Sequence, residues 1–89
     1  MSVNQPMTLR VGDEYDSSLL SRLRTAVASI GGTMTESFWG AGGSQEITRY
    51  EISLPDGGVE VEAETYVGLS LRGPAQLVQQ LALAAQRDA

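Results

Sequence analysis

The sequence has no cysteine, no histidine and no lysine. Without cysteine there is no disulfide, no thiolate nucleophile and no zinc–thiolate site. Without histidine the chain lacks the commonest general base and the commonest transition-metal ligand. These two absences argue against catalysis. The expectation is a non-catalytic chain with no cofactor and no resident metal. Without lysine, all six cations are arginine (Arg10, Arg22, Arg24, Arg49, Arg72 and Arg87), set against eleven acidic residues for a formal net charge of −5. No basic stripe exists to meet phosphates, which supply most nucleic-acid affinity, so nucleic acid is not an expected partner. Acidic charge suits solubility or a basic protein partner. No apolar run reaches the roughly 18 residues that a membrane span needs. The opening MSVNQPMTLR lacks the apolar core of a signal peptide, so the cytoplasm is the expected compartment.

What is present suits one small core. The chain has 89 residues, and 42% are hydrophobic, which sets it apart from disordered sequences. Residues 1–6 read as a flexible N-terminus and 7–88 as a single domain. Met7, Leu9 and Val11 alternate with Thr8 and Arg10, a short strand with one buried face. Leu19, Leu20, Leu23, Ala26, Val27 and Ile30 follow a 3.6-residue period, with Asp13 or Asp16 as cap and Gly31-Gly32 as stop, so a helix is expected over about 16–30. Thr33 to Trp39 is the second strand. Met34 and Phe38 share a face, with Glu36 between them on the same parity. Gly40 to Ser44 reads as a flexible loop. It lacks the Gly-Lys-Ser/Thr ending of a phosphate loop.

Glu46 to Leu54 is the third strand, and Pro55-Asp56-Gly57-Gly58 a hairpin turn, with Asp56-Gly57 the strongest signal. If those two residues form the turn, Leu54 faces Val59, Ile52 faces Val61 and Tyr50 faces Ala63 on the core side. On the other side Arg49 faces Glu64, Glu51 faces Glu62 and Ile47 faces Tyr66. Val59 to Leu71 alternates almost without fault and reads as one long fourth strand. Thirteen residues at about 3.3 Å would span roughly 43 Å, too long for so small a domain, so a bend or bulge is expected at Gly68. Gly73-Pro74 opens a last helix with the stripe Leu77, Val78, Leu81, Ala84 and Ala85.

The order is β-α-β-β-β-α. The expected fold is an α+β two-layer sandwich: a mostly antiparallel four-stranded sheet with both helices on one face. The first strand lies beside either the second or the fourth. Residues 16–88 read α-β-β-β-α and resemble the double-stranded RNA-binding domain in that order alone. That domain meets phosphates with cations at the start of its last helix. Here the segment reads Gly73-Pro74-Ala75-Gln76, so the resemblance implies topology and no RNA binding.

Two constellations stand out. Glu60, Glu62 and Glu64 line one face of the fourth strand, about 6.6 Å apart, too far for two of them to hold one magnesium ion. With Glu51 opposite Glu62, a weak divalent-ion site, and with it a weak metal-dependent enzyme, is an alternative. A solvated face and a basic partner are the other readings. Trp39, Ile47 and Tyr66 form an apolar group on either side of the glycine-rich loop, either an interface or simple cover for the sheet. The expected partner-binding residues are therefore Trp39, Ile47, Arg49, Glu60, Glu62, Glu64 and Tyr66, in a protein-interaction module of inhibitor, immunity or adaptor type. A self-associating structural protein, paired through a sheet edge or the aromatic group as a homodimer, is the alternative.

Overall fold

The computed structural model describes residues 5–87, and most of the expected loose start at 1–6 lies outside that range. The order is β1 (Pro6–Gly12), α1 (Ser17–Ser29), β2 (Thr33–Gly42), β3 (Gln45–Leu54), β4 (Gly57–Glu64), β5 (Gly68–Pro74) and α2 (Ala75–Arg87). The α+β class is as expected. The sheet, however, has five strands rather than four, all antiparallel, in the order β1-β5-β4-β3-β2. After α1 the chain therefore makes four strands before its last helix, which removes the likeness in order to the RNA-binding domain.

The extra strand comes from a reversal inside Val59–Leu71. The stretch turns at residues 65–67 and pairs back on itself, with Ala63 opposite Leu69 and Val61 opposite Leu71. The turn spans three residues, so the alternation keeps its parity across it: Val59, Val61, Ala63, Leu69 and Leu71 all point to the same face. A hairpin with such a loop and a single long strand give the same pattern. Gly68, the expected bend, begins the returning strand at φ 112.

β1 lies beside β5 at one edge, and β2 forms the other edge. The two run in the same direction, so α1 carries the chain across the whole sheet. Asp16 caps α1 by accepting from the Leu19 amide at 3.0 Å. Gly31, at φ 80, ends it. Leu19, Leu23 and Val27 from α1 join Leu77, Val78, Leu81, Ala82 and Ala85 from α2 over Tyr50, Ile52, Leu54, Val59, Val61, Leu69 and Leu71 of the sheet, in one buried cluster. Arg22 ties the helices together by donating to the Ala85 carbonyl at 2.6 Å, near the open end of α2. Both helices thus share one sheet face, and the other face is bare.

The β3–β4 register differs from expectation by two residues. Pro55 and Asp56 form the turn, and Gly57, at φ 145, starts β4 opposite Leu54. A primed Asp-Gly turn needs positive φ at both residues, and Asp56 does not have it. Pro55, with φ fixed near −65°, takes the first turn position instead. Parity survives a two-residue shift, so the core face is as expected, but each outward pair moves by one partner: Arg49 faces Glu62, Glu51 faces Glu60 and Ile47 faces Glu64.

β2 is longer than expected. Gly40 to Gly42 continue the strand opposite Ile47, Glu46 and Gln45, and the turn is only Gly43-Ser44. The ladder also slips between Glu36 and Phe38, a bulge at Ser37. The bulge reverses the parity of the rest of the strand, so Phe38 leaves Met34's side for the bare face, and Trp39 falls on the helix side opposite Thr48.

Candidate functional site

Three connections meet at one end of the sheet: β1 to α1, β2 to β3 and β4 to β5. Four of the five aromatic residues gather there or just inside it, and all four are exposed: Tyr15 at 68%, Phe38 at 48%, Trp39 at 56% and Tyr66 at 76%. Tyr50 is the buried one. Val67 adds to the exposed apolar surface at the same turn.

Hydrogen bonds stitch the three connections together. Trp39 Nε1 donates to Glu46 Oε2 at 2.9 Å. The Glu46 amide donates to Thr65 Oγ1 at 3.0 Å, and the Thr65 amide donates to the Glu46 carbonyl at 2.9 Å. Thr65, buried within the β4–β5 turn, also meets the Tyr15 hydroxyl at 3.3 Å. The Tyr66 amide donates to Glu14 Oε2 at 3.1 Å, and Arg10 Nε donates to the Val67 carbonyl at 2.9 Å. The side chains are exposed, but the backbone that presents them is fixed. A cavity of about 100 Å³ lies beneath, between Tyr15, Asp16, Glu46, Thr48, Tyr50 and Thr65.

The charge at this end is mostly negative. Asp13, Glu14 and Asp16 lie on the β1–α1 connection, Glu46 opens β3 and Glu64 closes β4. Arg10 is the cation bonded into this end, through the Val67 carbonyl. Asp16 is held below the usual carboxylate range, first by the Leu19 amide and then by the Ser18 hydroxyl.

The bare sheet face reads as rows across the strands. Phe38, Arg49, Glu62, Ser70 and Arg10 form one, and Glu51, Glu60, Arg72 and Thr8 another. Arg49 donates to Glu62 at 2.8 Å, and its guanidinium lies 5.3 Å from the Phe38 ring centre. The Glu62 bond holds Arg49 more firmly protonated than free arginine. Arg72 pairs with Glu60. Glu64 has no ion pair among the described residues. A groove of about 390 Å³ opens beside it, between Phe38, Gly40, Gly42, Gln45 and Ile47.

The expected site residues therefore divide. Glu60, Glu62, Glu64, Arg49 and Ile47 share the bare face. Trp39 does not join Ile47 there, because the Ser37 bulge turns it to the opposite side. Tyr66 does not pair with Ile47 either; it sits in the β4–β5 turn. The row carries two ion pairs, Arg49 with Glu62 and Arg72 with Glu60, in place of the one Arg49–Glu64 pair that the expected register gives. The carboxylate pair thought able to hold a cation does not form, because Glu51 faces Glu60, which Arg72 already holds. Among the described residues no three acidic side chains converge as metal ligands, and no helix is long and apolar enough to cross a membrane.

Tyr15, Glu14, Glu46 and Phe38 were not anticipated. Phe38 was hidden by the bulge. Tyr15 lies in GDEYDSS, which reads only as a helix approach, and nothing local joins it to Tyr66 across 51 positions.

No family model matches the chain, and comparison with curated proteins and with solved structures gave no match either.

Proposed function

We propose that the protein is a non-catalytic binding module whose acidic, aromatic end docks a basic protein, in the manner of an inhibitor, immunity or adaptor protein. Tyr15, Trp39 and Tyr66 are the apolar anchors. Glu14, Glu46 and Glu64 supply the charge, and the bare face with Ile47, Arg49, Glu60 and Glu62 forms the flank.

The observation that carries this reading is Tyr66. Its φ is 71, and it is the one non-glycine residue at positive φ among those described. Its turn is closed by the Val67 amide donating to the Glu64 carbonyl at 3.0 Å. Turns place Gly or Asn at such positions, and a bulky side chain there costs about 1–2 kcal/mol. The side chain gains little burial in return, being mostly exposed. Strain kept at an exposed aromatic, in a turn braced from two sides, is the pattern of a site held for contact rather than for folding. Tyrosine and tryptophan also give large contact area for little ordering entropy.

A second copy of the chain is a poorer occupant. β4 is the middle strand, so Glu60, Glu62 and Glu64 run down the centre of the bare face. A two-fold pairing along that row sets the glutamates against their own copies, an unfavourable contact that Arg49 and Arg72 only partly offset. Both edge strands slip register, β1 between Arg10 and Gly12 and β2 at Ser37. Such bulges discourage edge pairing. The absence of histidine and cysteine supports the non-catalytic part of the reading.

The test is selection of a displayed random peptide library on the immobilised protein at low salt. Arginine- and lysine-rich sequences should be enriched, their binding should weaken as salt rises, and Trp39→Ala and Glu14→Gln should reduce it. Enrichment without basic residues, or binding indifferent to both substitutions, would reject the reading.

A further inference from the structure

We infer that the groove beside Glu64 is a receptor for an arginine side chain of the basic partner, an assignment that rests on the binding reading above. The bare face already holds two glutamate–arginine pairs, Glu60 with Arg72 and Glu62 with Arg49. Glu64 is the next outward carboxylate on the same strand, with Ile47 and Gly68 as its cross-strand neighbours. The Arg10 guanidinium lies over Gly68 but donates to the Val67 carbonyl. Glu64 is therefore the one carboxylate of the three without an ion pair among the described residues, and it lines the groove together with Ile47.

The space next to it suits a guanidinium on an apolar stem. Gly42 carries no side chain and an added Cβ there meets nothing within 4 Å, which leaves the floor open. The Phe38 ring lies against Gly40, 3.0 Å from where a Cβ would stand, and Ile47 lines the groove too. The Arg49 guanidinium already lies 5.3 Å from the Phe38 ring centre, so the incoming stem meets the rest of the ring surface. The planar fork of arginine can meet a carboxylate through two bonds while its stem lies on Phe38 and Ile47, whereas an ammonium offers only a point charge. At about 390 Å³ the groove has room for a long side chain.

The experiment titrates ¹⁵N-labelled protein with tri-arginine, tri-lysine and tri-glutamate peptides at low salt. Tri-arginine should shift the amides of Gly40, Gly42 and Ile47 most. Glu64→Gln should weaken it about tenfold, the value of one charge-assisted contact. Glu51→Gln, which changes a carboxylate on the same face outside the groove, should leave it unchanged. Gly42→Val fills the floor where a Cβ meets nothing within 4 Å, so it should block binding in a folded protein. Equal losses in Glu64→Gln and Glu51→Gln, shifts spread over every acidic position, no tri-arginine binding, or tri-lysine binding as tight as tri-arginine would each overturn the assignment. If library-selected basic peptides lose binding to Tyr66→Gly but bind Glu64→Gln normally, the groove assignment fails and the docking end stands. If neither substitution matters, the docking reading fails with it.

Discussion

The amide of Tyr66 donates to the carboxylate of Glu14 at 3.1 Å, which joins the β4–β5 turn to the β1–α1 connection 52 residues away in sequence. The bond satisfies a backbone donor in a turn whose backbone is otherwise strained. Glu14→Ala should free that donor without touching the core. Hydrogen exchange at the Tyr66 amide should then speed up several-fold, while core amides such as those of Val61 and Leu71 keep their protection. Unchanged exchange at Tyr66 would mean the bond does not brace the turn.

The two glycines after α1 separate two kinds of constraint. At Gly32 an added Cβ would stand 2.5 Å from Leu54 Cδ2 and 2.7 Å from the Ser53 carbonyl oxygen, so Gly32→Ala must displace backbone. At Gly31 an added Cβ meets nothing within 4 Å, and only its φ of 80 resists. Denaturant unfolding should show Gly32→Ala losing about 2–3 kcal/mol and Gly31→Ala about 1 kcal/mol. Gly31→Asn should lose less than Gly31→Ala, because Asn tolerates the left-handed region.

Asp16 makes stability depend on acid. Its pKa is lowered from 3.8, first by the Leu19 amide and second by the Ser18 hydroxyl. A carboxyl with a lowered folded-state pKa contributes fully above its unfolded value and loses that contribution as pH falls through the folded value. The Tm should therefore fall below about pH 4 as this contribution is lost. Asp16→Asn keeps a capping side chain but cannot titrate. Its Tm should fall less steeply over the same range, and an identical slope would show that Asp16 is not a source of the acid sensitivity.

The central glutamate row and the bulged edges bear on self-association. Sedimentation equilibrium from micromolar to millimolar protein, at low and high salt, should give a monomer mass. A dimer that persists in high salt would point to apolar pairing through the exposed aromatic end instead.

How far the sequence led differs from element to element. The 3.6-residue stripe of α1 placed that helix within one residue at each end, and of the two cap candidates, Asp13 and Asp16, Asp16 is the one that caps, because local propensity and burial agree there. The alternation in Val59–Leu71 identified Val59, Val61, Leu69 and Leu71 as buried, but it put the exposed Val67 on the same face and concealed a whole strand, since a three-residue turn conserves parity. Pro55 carried the register information that Asp56-Gly57 obscured. The Ser37 bulge had no local signature; Glu36 on the apolar parity of β2 was its one trace, and it moved Phe38 and Trp39 to opposite faces. The candidate end was least legible, because it is assembled from loops that only the strand order β1-β5-β4-β3-β2 brings together.

The most direct test of the docking end is Tyr66→Gly, measured for stability and for binding to the selected basic peptides in the same preparations. Glycine relieves the left-handed backbone, so the variant should be as stable as wild type or more stable by up to about 1 kcal/mol, and it should lose most of its peptide binding. A variant that is clearly less stable would mean Tyr66 serves the fold. One that binds as well as wild type would mean the aromatic end is ordinary surface, and the proposal would be wrong.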